Sequence, residues 1–370
     1  MSARPAGRTI LQEAAKIPRV VKNHPPLREN VKILKALCAD SGVDITGVTK
    51  AFRGDPKIAQ AYIDGGLTML GDSRVANLKR MADLKAEKWL IRPPQLCEIE
   101  DLVRYGDVSL NSEMTTIRAI SDAAVKQGKR HKVILMADLG DIREGYVDEN
   151  ELLDAAEETE KLPGVELYGL GVNLTCFSFI QYSTEKLDQL CGLRRRAEQR
   201  IGRELPMVSG GNSAAIDLML RGGIPADITS LRLGESLLFG KERAKYRYLP
   251  GTHRDVFTIE CQIVELKDKP SLPWGEVGVD SYGRKPEFVD RGSVRRKAVC
   301  ALGKQDFDVE TTTALDPGVM ILGASSDHLM LDVTDRETDY KVGDIVRLQL
   351  GYFSTMRAFT SEYVEKVYME

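Results

Sequence analysis

Three places in this 370-residue chain combine residue types that can do chemistry. The first is Val48-Thr49-Lys50, where a lysine closes an apolar run. In a protected pocket such an amine loses hydration, its pKa falls, and it becomes a nucleophile or a base. On open surface the same lysine is an ordinary solvated cation. The second is Ser209-Gly210-Gly211-Asn212-Ser213-Ala214-Ala215. Its glycines allow close backbone approach, the N–H groups of a following helix attract anions, and Ser213 adds a hydroxyl. A plain N-cap in a tight turn fits the same letters. The third is Leu231-Arg232-Leu233-Gly234-Glu235. Glycine in both loops favours a phosphate cradle. A phosphate anchor beside a lysine suggests pyridoxal phosphate, whose aldehyde condenses with an amine. A phosphorylated substrate that forms a lysine imine, as in aldolases, fits these residues too.

Three further stretches carry polar groups. DLGDIREGY (138–146) crowds charges into one loop, which is either a working rim or plain exposed surface. GVNLTC (171–176) offers Asn173, which faces a cofactor ring or satisfies backbone groups. GVDSYG (278–283) is a turn carrying the hydroxyl of Tyr282.

The elements that position these residues alternate. Short apolar runs are expected as strands at 44–50, 67–70, 89–92, 107–110, 132–138, 167–172, 206–209 and 229–233. Amphipathic patterns at 57–64, 75–84, 113–127 and 183–201 are expected as helices between them. About eight strand–helix units predict a (β/α)8 barrel over 30–245. A barrel gathers the C-terminal ends of its strands, so Lys50, Arg232 and the cradle should converge. After about residue 250, alternation with a period of two replaces helical periodicity. It predicts an antiparallel β domain over 246–370, joined by 17–29, with strands at 256–266, 296–302, 319–322, 328–333 and 344–350. Residues 1–16 read as an N-terminal extension.

Composition narrows the class. Fifty-two Lys and Arg against 55 Asp and Glu leave a net charge of −3, so no basic nucleic-acid footprint is expected. No run approaches the ~18 uncharged apolar residues of a membrane span, and the polar start does not read as a secretory signal. The six cysteines (38, 97, 176, 191, 261 and 300) are scattered without a C-x-x-C pair. That excludes zinc-finger spacing and argues against a disulfide framework, so no metal is expected and the expected compartment is the cytoplasm.

The ordered stretches carry a family resemblance. LGDSRVANLKRM (70–81), DLGDIREGY (138–146), GVNLTCF (171–177), VSGGNSAA (208–215), LRLGESLLFG (231–240), IVELKDKPSLPWGEVGVDSYG (263–283), ILGASSDHLMLDV (321–333) and FTSEYVEK (359–366) resemble the alanine racemase-type enzymes of pyridoxal phosphate fold type III. Within them the chain is more similar to the ornithine and related basic amino-acid racemases. The resemblance covers nearly everything after about residue 18. It implies a barrel followed by a β domain, pyridoxal phosphate as cofactor, a small amino-acid substrate, and a head-to-tail homodimer with two shared sites.

Position by position, Lys50 matches the lysine that forms the Schiff base with the cofactor and serves as one catalytic base. Arg232 matches the arginine on the pyridine nitrogen, where an always-charged donor weakens the electron sink. Asn212 and Ser213, with the backbone N–H groups of Gly234 and Glu235, match the phosphate cradle, and Tyr363 matches a tyrosine touching the phosphate. Arg143 matches the arginine near the cofactor oxygen and the substrate carboxylate. Tyr282, in a Ser-Tyr-Gly setting, matches the second base, contributed by the partner subunit.

Some positions depart from the alanine pattern. Lys50 is followed by Ala51-Phe52-Arg53-Gly54 instead of a tyrosine and Gly-His-Gly. Asn173 stands where the family has a ring-stacking histidine, and Ser325-Ser326-Asp327 where it has Cys-Met-Asp. These changes touch the substrate side. A basic side chain needs an acidic partner, since a buried unpaired charge is costly. Asp280, Asp327 and Glu362 are the candidates. The expected function is racemisation of a free basic amino acid, ornithine first, then lysine or arginine. The alternatives are an alanine or broad-specificity racemase, a fold type III decarboxylase, and a non-catalytic pyridoxal phosphate carrier. The decarboxylases' Cys-Glu-Ser stretch is missing from this chain, and the carriers lack the added domain.

Overall fold

The computed structural model describes residues 16–280 and 283–369. The described residues divide into two compact units, Asn23–Val256 and Phe257–Met369, the latter together with residues 16–22.

After β1 (Arg19–Asn23) and α1 (His24–Ala39) come the alternating elements β2 (Asp44–Val48), α2 (Pro56–Asp64), β3 (Met69–Asp72), α3 (Val75–Arg80), β4 (Glu87–Leu90), α4 (Ile99–Tyr105), β5 (Val108–Asn111), α5 (Met114–Lys126), β6 (His131–Ala137), α6 (Glu149–Glu160), β7 (Val165–Val172), α7 (Thr184–Ile201), β8 (Met207–Asn212), α8 (Ala215–Leu220), β9 (Ser230–Leu233) and α9 (Glu235–Phe239). Strands β2 to β9 form a closed parallel barrel in sequence order. The seam pairs β2 with β9, from Asp44 opposite Ser230 to Gly47 opposite Leu233. Each expected barrel strand is present within a few residues of its predicted place.

The barrel interior is filled by Met69, Trp89, Val108, Leu110, Ile134, Met136 and Met207. Helix starts follow local chemistry. Asp55 precedes Pro56 and accepts from the N–H groups of Lys57 (3.1 Å) and Ile58 (3.4 Å) at α2. Asp148 accepts from Asn150 (2.7 Å) and Glu151 (3.1 Å) at α6. Each satisfies N–H groups that a helix leaves unpaired at its start. Gly169 lets β7 lie against β8, because a Cβ there would sit 1.9 Å from the Met207 carbonyl oxygen.

The second unit holds β10 (Phe257–Pro270), β11 (Val294–Ala301), β12 (Thr312–Ala314), β13 (Met320–Ala324), β14 (His328–Asp332), β15 (Ile345–Leu350), α10 (Tyr352–Thr360) and β16 (Glu365–Met369). The strands run in the order β12-β15-β10-β11-β14-β13, and β1 pairs with both β10 and β16. Every pairing of β10, β11, β14 and β15 is antiparallel. A register shift between Ile263 and Glu265 divides β10. Its first half pairs with β15 and its second with β11.

Three expectations need correction. Of residues 17–29, expected with the β domain, those up to Lys22 group with it, whereas Asn23 onward, with the start of helix α1, groups with the barrel. In α1, Leu27, Val31 and Leu34 are buried, and Asn30 Nδ2 donates to the carbonyls of Leu237 (3.1 Å) and His253 (2.9 Å). Residues 246–256 belong there too. Helix α10 breaks the all-β texture expected after residue 250. Its buried face mixes Ser354 and Thr355 with Ala358 and Phe359, so no apolar stripe announces it.

Candidate active site

The polar residues singled out in the barrel stand at the C-terminal ends of its strands. Strand β2 ends at Val48, two residues earlier than expected, and Lys50 opens a single 3-10 turn, Lys50–Phe52. Thr49 anchors that turn. Its N–H donates to the Gly71 carbonyl (2.8 Å) and its hydroxyl to Asp72 Oδ2 (2.6 Å). Asp72 is fully buried at the end of β3 and also accepts from Asn77 Nδ2 (2.9 Å) and the Arg74 N–H (3.0 Å). The Lys50 amine is half-buried and has no hydrogen bond or ion pair among the described residues. Burial lowers its pKa from the ordinary lysine value. Arg143 and Arg243 push the same way, while Cys176 and Asp72 oppose. The result is an amine biased toward its neutral, nucleophilic form.

Strand β9, the partner of β2 across the seam, and β8 beside it supply the rest. Arg232 on β9 is buried and spans the barrel mouth. It donates to Ser209 Oγ (2.5 Å) on β8 and the Val172 carbonyl (2.8 Å) on β7. Its Nε donates to no described residue. Ser213 follows β8, and its hydroxyl lies 3.1 Å from Ser236 Oγ. It accepts from the N–H groups of Gly234 (3.4 Å) and Ser236 (3.3 Å) at the start of α9. A Cβ on Gly234 would press on Val48 Cβ at 3.2 Å, so glycine keeps this corner open.

A buried network ties the rim loops together. Asp141 accepts from the N–H groups of Phe177 (3.1 Å) and Ser178 (2.9 Å), and from Asn173 Nδ2 (2.9 Å). Asn173 Oδ1 accepts from Asn212 Nδ2 (2.9 Å) and from the Cys176 thiol (3.3 Å). Asn212 Oδ1 accepts from the Ala214 N–H (2.9 Å) and Thr175 Oγ1 (3.2 Å). The side chains of Asn173 and Asn212 are thus bonded to other side chains. The rim is held rigid across β6, β7 and β8. Arg143 pairs with its neighbour Glu144 and lies 3.9 Å from Asp141.

The remaining candidates lie on the antiparallel unit. Asp280 is exposed and accepts from the Arg284 N–H (2.9 Å), closing a turn. Asp327 is exposed and bonds Gln305 and Ser326 Oγ (2.8 Å). Glu362 and Tyr363 are exposed, and the Tyr363 N–H donates to Ser361 Oγ (3.2 Å). Tyr282 lies outside the described residues.

Residues 24–242 match the family model described as alanine racemase, N-terminal domain. The chain belongs to the alanine racemase family. Ornithine racemase of Acetoanaerobium sticklandii is 44% identical over 349 residues, covering 94% of this chain and 99% of that one. Lysine racemase of Thermotoga maritima is 36% identical over 353 residues, covering 95% and 98%. By sequence, then, this family member is a racemase, and the resemblance read from its motifs is borne out. Among solved structures, alanine racemase of Clostridium difficile 630 superposes with a TM-score of 0.72 at 18% identity, covering 97% of both chains. D-threonine aldolase from Filomicrobium marinum reaches 0.70 at 14%, covering 92% and 88%. These likenesses show the shared barrel-plus-sheet fold, on which more than one chemistry is built.

Sequence reasoning did not single out four residues of the rim. Asp72 and Arg243 carried no local signal, since a charged letter in a loop is usually solvated. Asp141 was visible only as part of a charge cluster. Tyr182 is buried, and its hydroxyl accepts from the N–H groups of Leu174 and Asn212, both at 3.3 Å. Gly211, at φ +125°, makes room for it. The glycine pair before Asn212 was the available clue.

Proposed function

We propose that this racemase acts on a free basic amino acid, ornithine first, with pyridoxal phosphate as cofactor. The observation that carries the reading is the partnerless Lys50 amine on the same barrel mouth as Arg232 and Ser213. The residues present suit that cofactor chemically: an unpaired amine for the aldehyde, a guanidinium with a spare donor, and a hydroxyl with backbone N–H groups. Lys50 would hold the aldehyde and Arg232 the pyridine nitrogen. Asn212, Ser213, Gly234, Glu235 and Tyr363 would hold the phosphate, with Asn173 beside the ring. When bound, pyridoxal phosphate withdraws electrons and acidifies the proton on the α-carbon. Lys50 Nζ takes or returns that proton on one face, and the Tyr282 hydroxyl of the second subunit serves the other. Arg143 meets the substrate carboxylate, and Asp280 and Asp327 are the proposed readers of the distal ammonium. The names of the two relatives, ornithine racemase and lysine racemase, support the substrate class.

A homodimer is part of the proposal. The antiparallel unit exposes Trp274, Val279, Phe288 and Val289, and a groove of about 600 Å³ runs past Leu272, Trp274 and Met330. An apolar patch of this kind marks a binding face, and in the sequence Tyr282 falls between Val279 and Phe288. The proposed compartment is the cytoplasm, in keeping with six unpaired cysteines. Among the described residues no helix is long and apolar enough to cross a membrane.

The test is α-proton exchange in D2O with L-ornithine, L-lysine, L-arginine and L-alanine, read by proton NMR and chiral chromatography. Exchange with formation of the D-enantiomer of a basic amino acid is expected. Activity confined to alanine would overturn the substrate class. Carbon dioxide release without the D-enantiomer would overturn racemisation.

A further inference from the structure

The loop after α9 is built with unusual care. Glu242 is fully buried yet carries a carboxylate. It accepts from the N–H groups of Ala244 (2.7 Å), Lys245 (3.0 Å) and Arg247 (3.0 Å), while its own N–H donates to the Arg247 carbonyl (2.9 Å). The Arg247 guanidinium also pairs with Asp217, buried on α8. Two buried carboxylates therefore pin this loop against α8, the helix that begins just after Ser213. Burying charge is costly unless it is paired, so the fold spends much on fixing these few residues.

What the loop presents is Arg243. Its N–H donates to the Ser213 carbonyl (3.4 Å). Its Nε lies 3.9 Å from Glu235 Oε2 at the first residue of α9. Its guanidinium makes no hydrogen bond to any described residue, and its charge is felt at Lys50. Glu235 poses a problem that this cation answers. An acid beside a phosphate cradle repels the phosphate, and burial already disfavours its charge, raising its pKa against the pull of Arg243 and Lys241. A planar guanidinium with free paired donors suits a phosphate better than any other side chain.

We infer that Arg243 binds the cofactor's phosphate group beside Ser213, a charge contact additional to the hydroxyl and backbone cradle. The inference rests on the pyridoxal phosphate reading above. Its test separates the two. Cofactor-free enzyme is titrated with pyridoxal phosphate and, separately, with pyridoxal, which lacks the phosphate; binding is followed by visible absorbance and intrinsic fluorescence. Arg243→Gln should weaken pyridoxal phosphate about tenfold, the loss of a hydrogen-bonded charge contact. It should leave pyridoxal within twofold, and Arg243→Lys should recover part of the loss. Unchanged affinity for pyridoxal phosphate in Arg243→Gln would overturn the inference. So would an equal loss for both probes, which would mean that the residue only supports the loop. Wild-type enzyme that takes up neither probe would overturn the parent reading, and this one with it.

Discussion

Replacing Lys50 by Met should make the cofactor-free protein more stable while abolishing its activity. The Lys50 amine is half-buried and has no partner among the described residues, and burial is the leading cause of its lowered pKa, with Arg143 and Arg243 adding to it and Cys176 and Asp72 opposing. Methionine keeps the length of the stem and removes the charge. Burying a polar group without a hydrogen bond costs roughly 1–3 kcal/mol, and partial exposure puts this site at the low end, about 1 kcal/mol. For a unit of this size that corresponds to a rise of about 2–4 °C in Tm. The pH dependence has a definite sign. Burial depresses the folded-state pKa of Lys50 below its unfolded value, near 10.4. The unfolded chain then binds more protons between the two values, so wild-type stability rises with pH through that window. The charge-dependent part of the Lys50→Met advantage is therefore full below the folded pKa and disappears above the unfolded one. Thermal melts of both cofactor-free proteins across pH 6 to 10 read it directly. A variant less stable than wild type at neutral pH, or an advantage that grows with pH, would refute the electrostatic reasoning.

Two further outcomes follow from the same geometry. Gly211→Ala adds a Cβ that would stand 2.2 Å from the Tyr182 hydroxyl at φ +125°, so a loss of at least about 2 kcal/mol is expected, read as a fall in Tm. On the proposed homodimer with shared sites, Lys50→Met and Tyr282→Phe subunits, each inactive or nearly so alone, should regain about a quarter of wild-type activity when co-expressed, because random pairing would make half the dimers mixed and each mixed dimer would rebuild one of its two sites. No recovery would mean that the two residues serve the same site from one subunit.

Much of the barrel was legible because its signal is local. Strands such as β6 and β7 are short apolar runs between turns, and α2 and α7 show their caps in the sequence: Asp55-Pro56 for one, Ser183 and Gly202 for the other. The glycines at 210, 211 and 234 and the lysine at 50 could be noticed for the same reason. Helix α10 was not legible, because its buried Ser354 and Thr355 hide a packed face behind polar letters. Arg143 was legible as a charge, but its pairing with Glu144 was not.

The sequence by itself determined the architecture, the order of the chemical residues and, through its motifs, the family. Periodicity and glycine placement act over a few residues and need no knowledge of distant neighbours. Only the tertiary structure decided which polar groups are spent on one another and which remain free. Asn173 and Asn212 are tied into the Asp141 network, whereas Lys50, the Arg232 Nε and Arg243 keep donors without hydrogen-bond partners among the described residues. That division depends on burial and on contacts between strands far apart in the chain, such as Arg232 reaching the Val172 carbonyl at 2.8 Å, which no local pattern encodes.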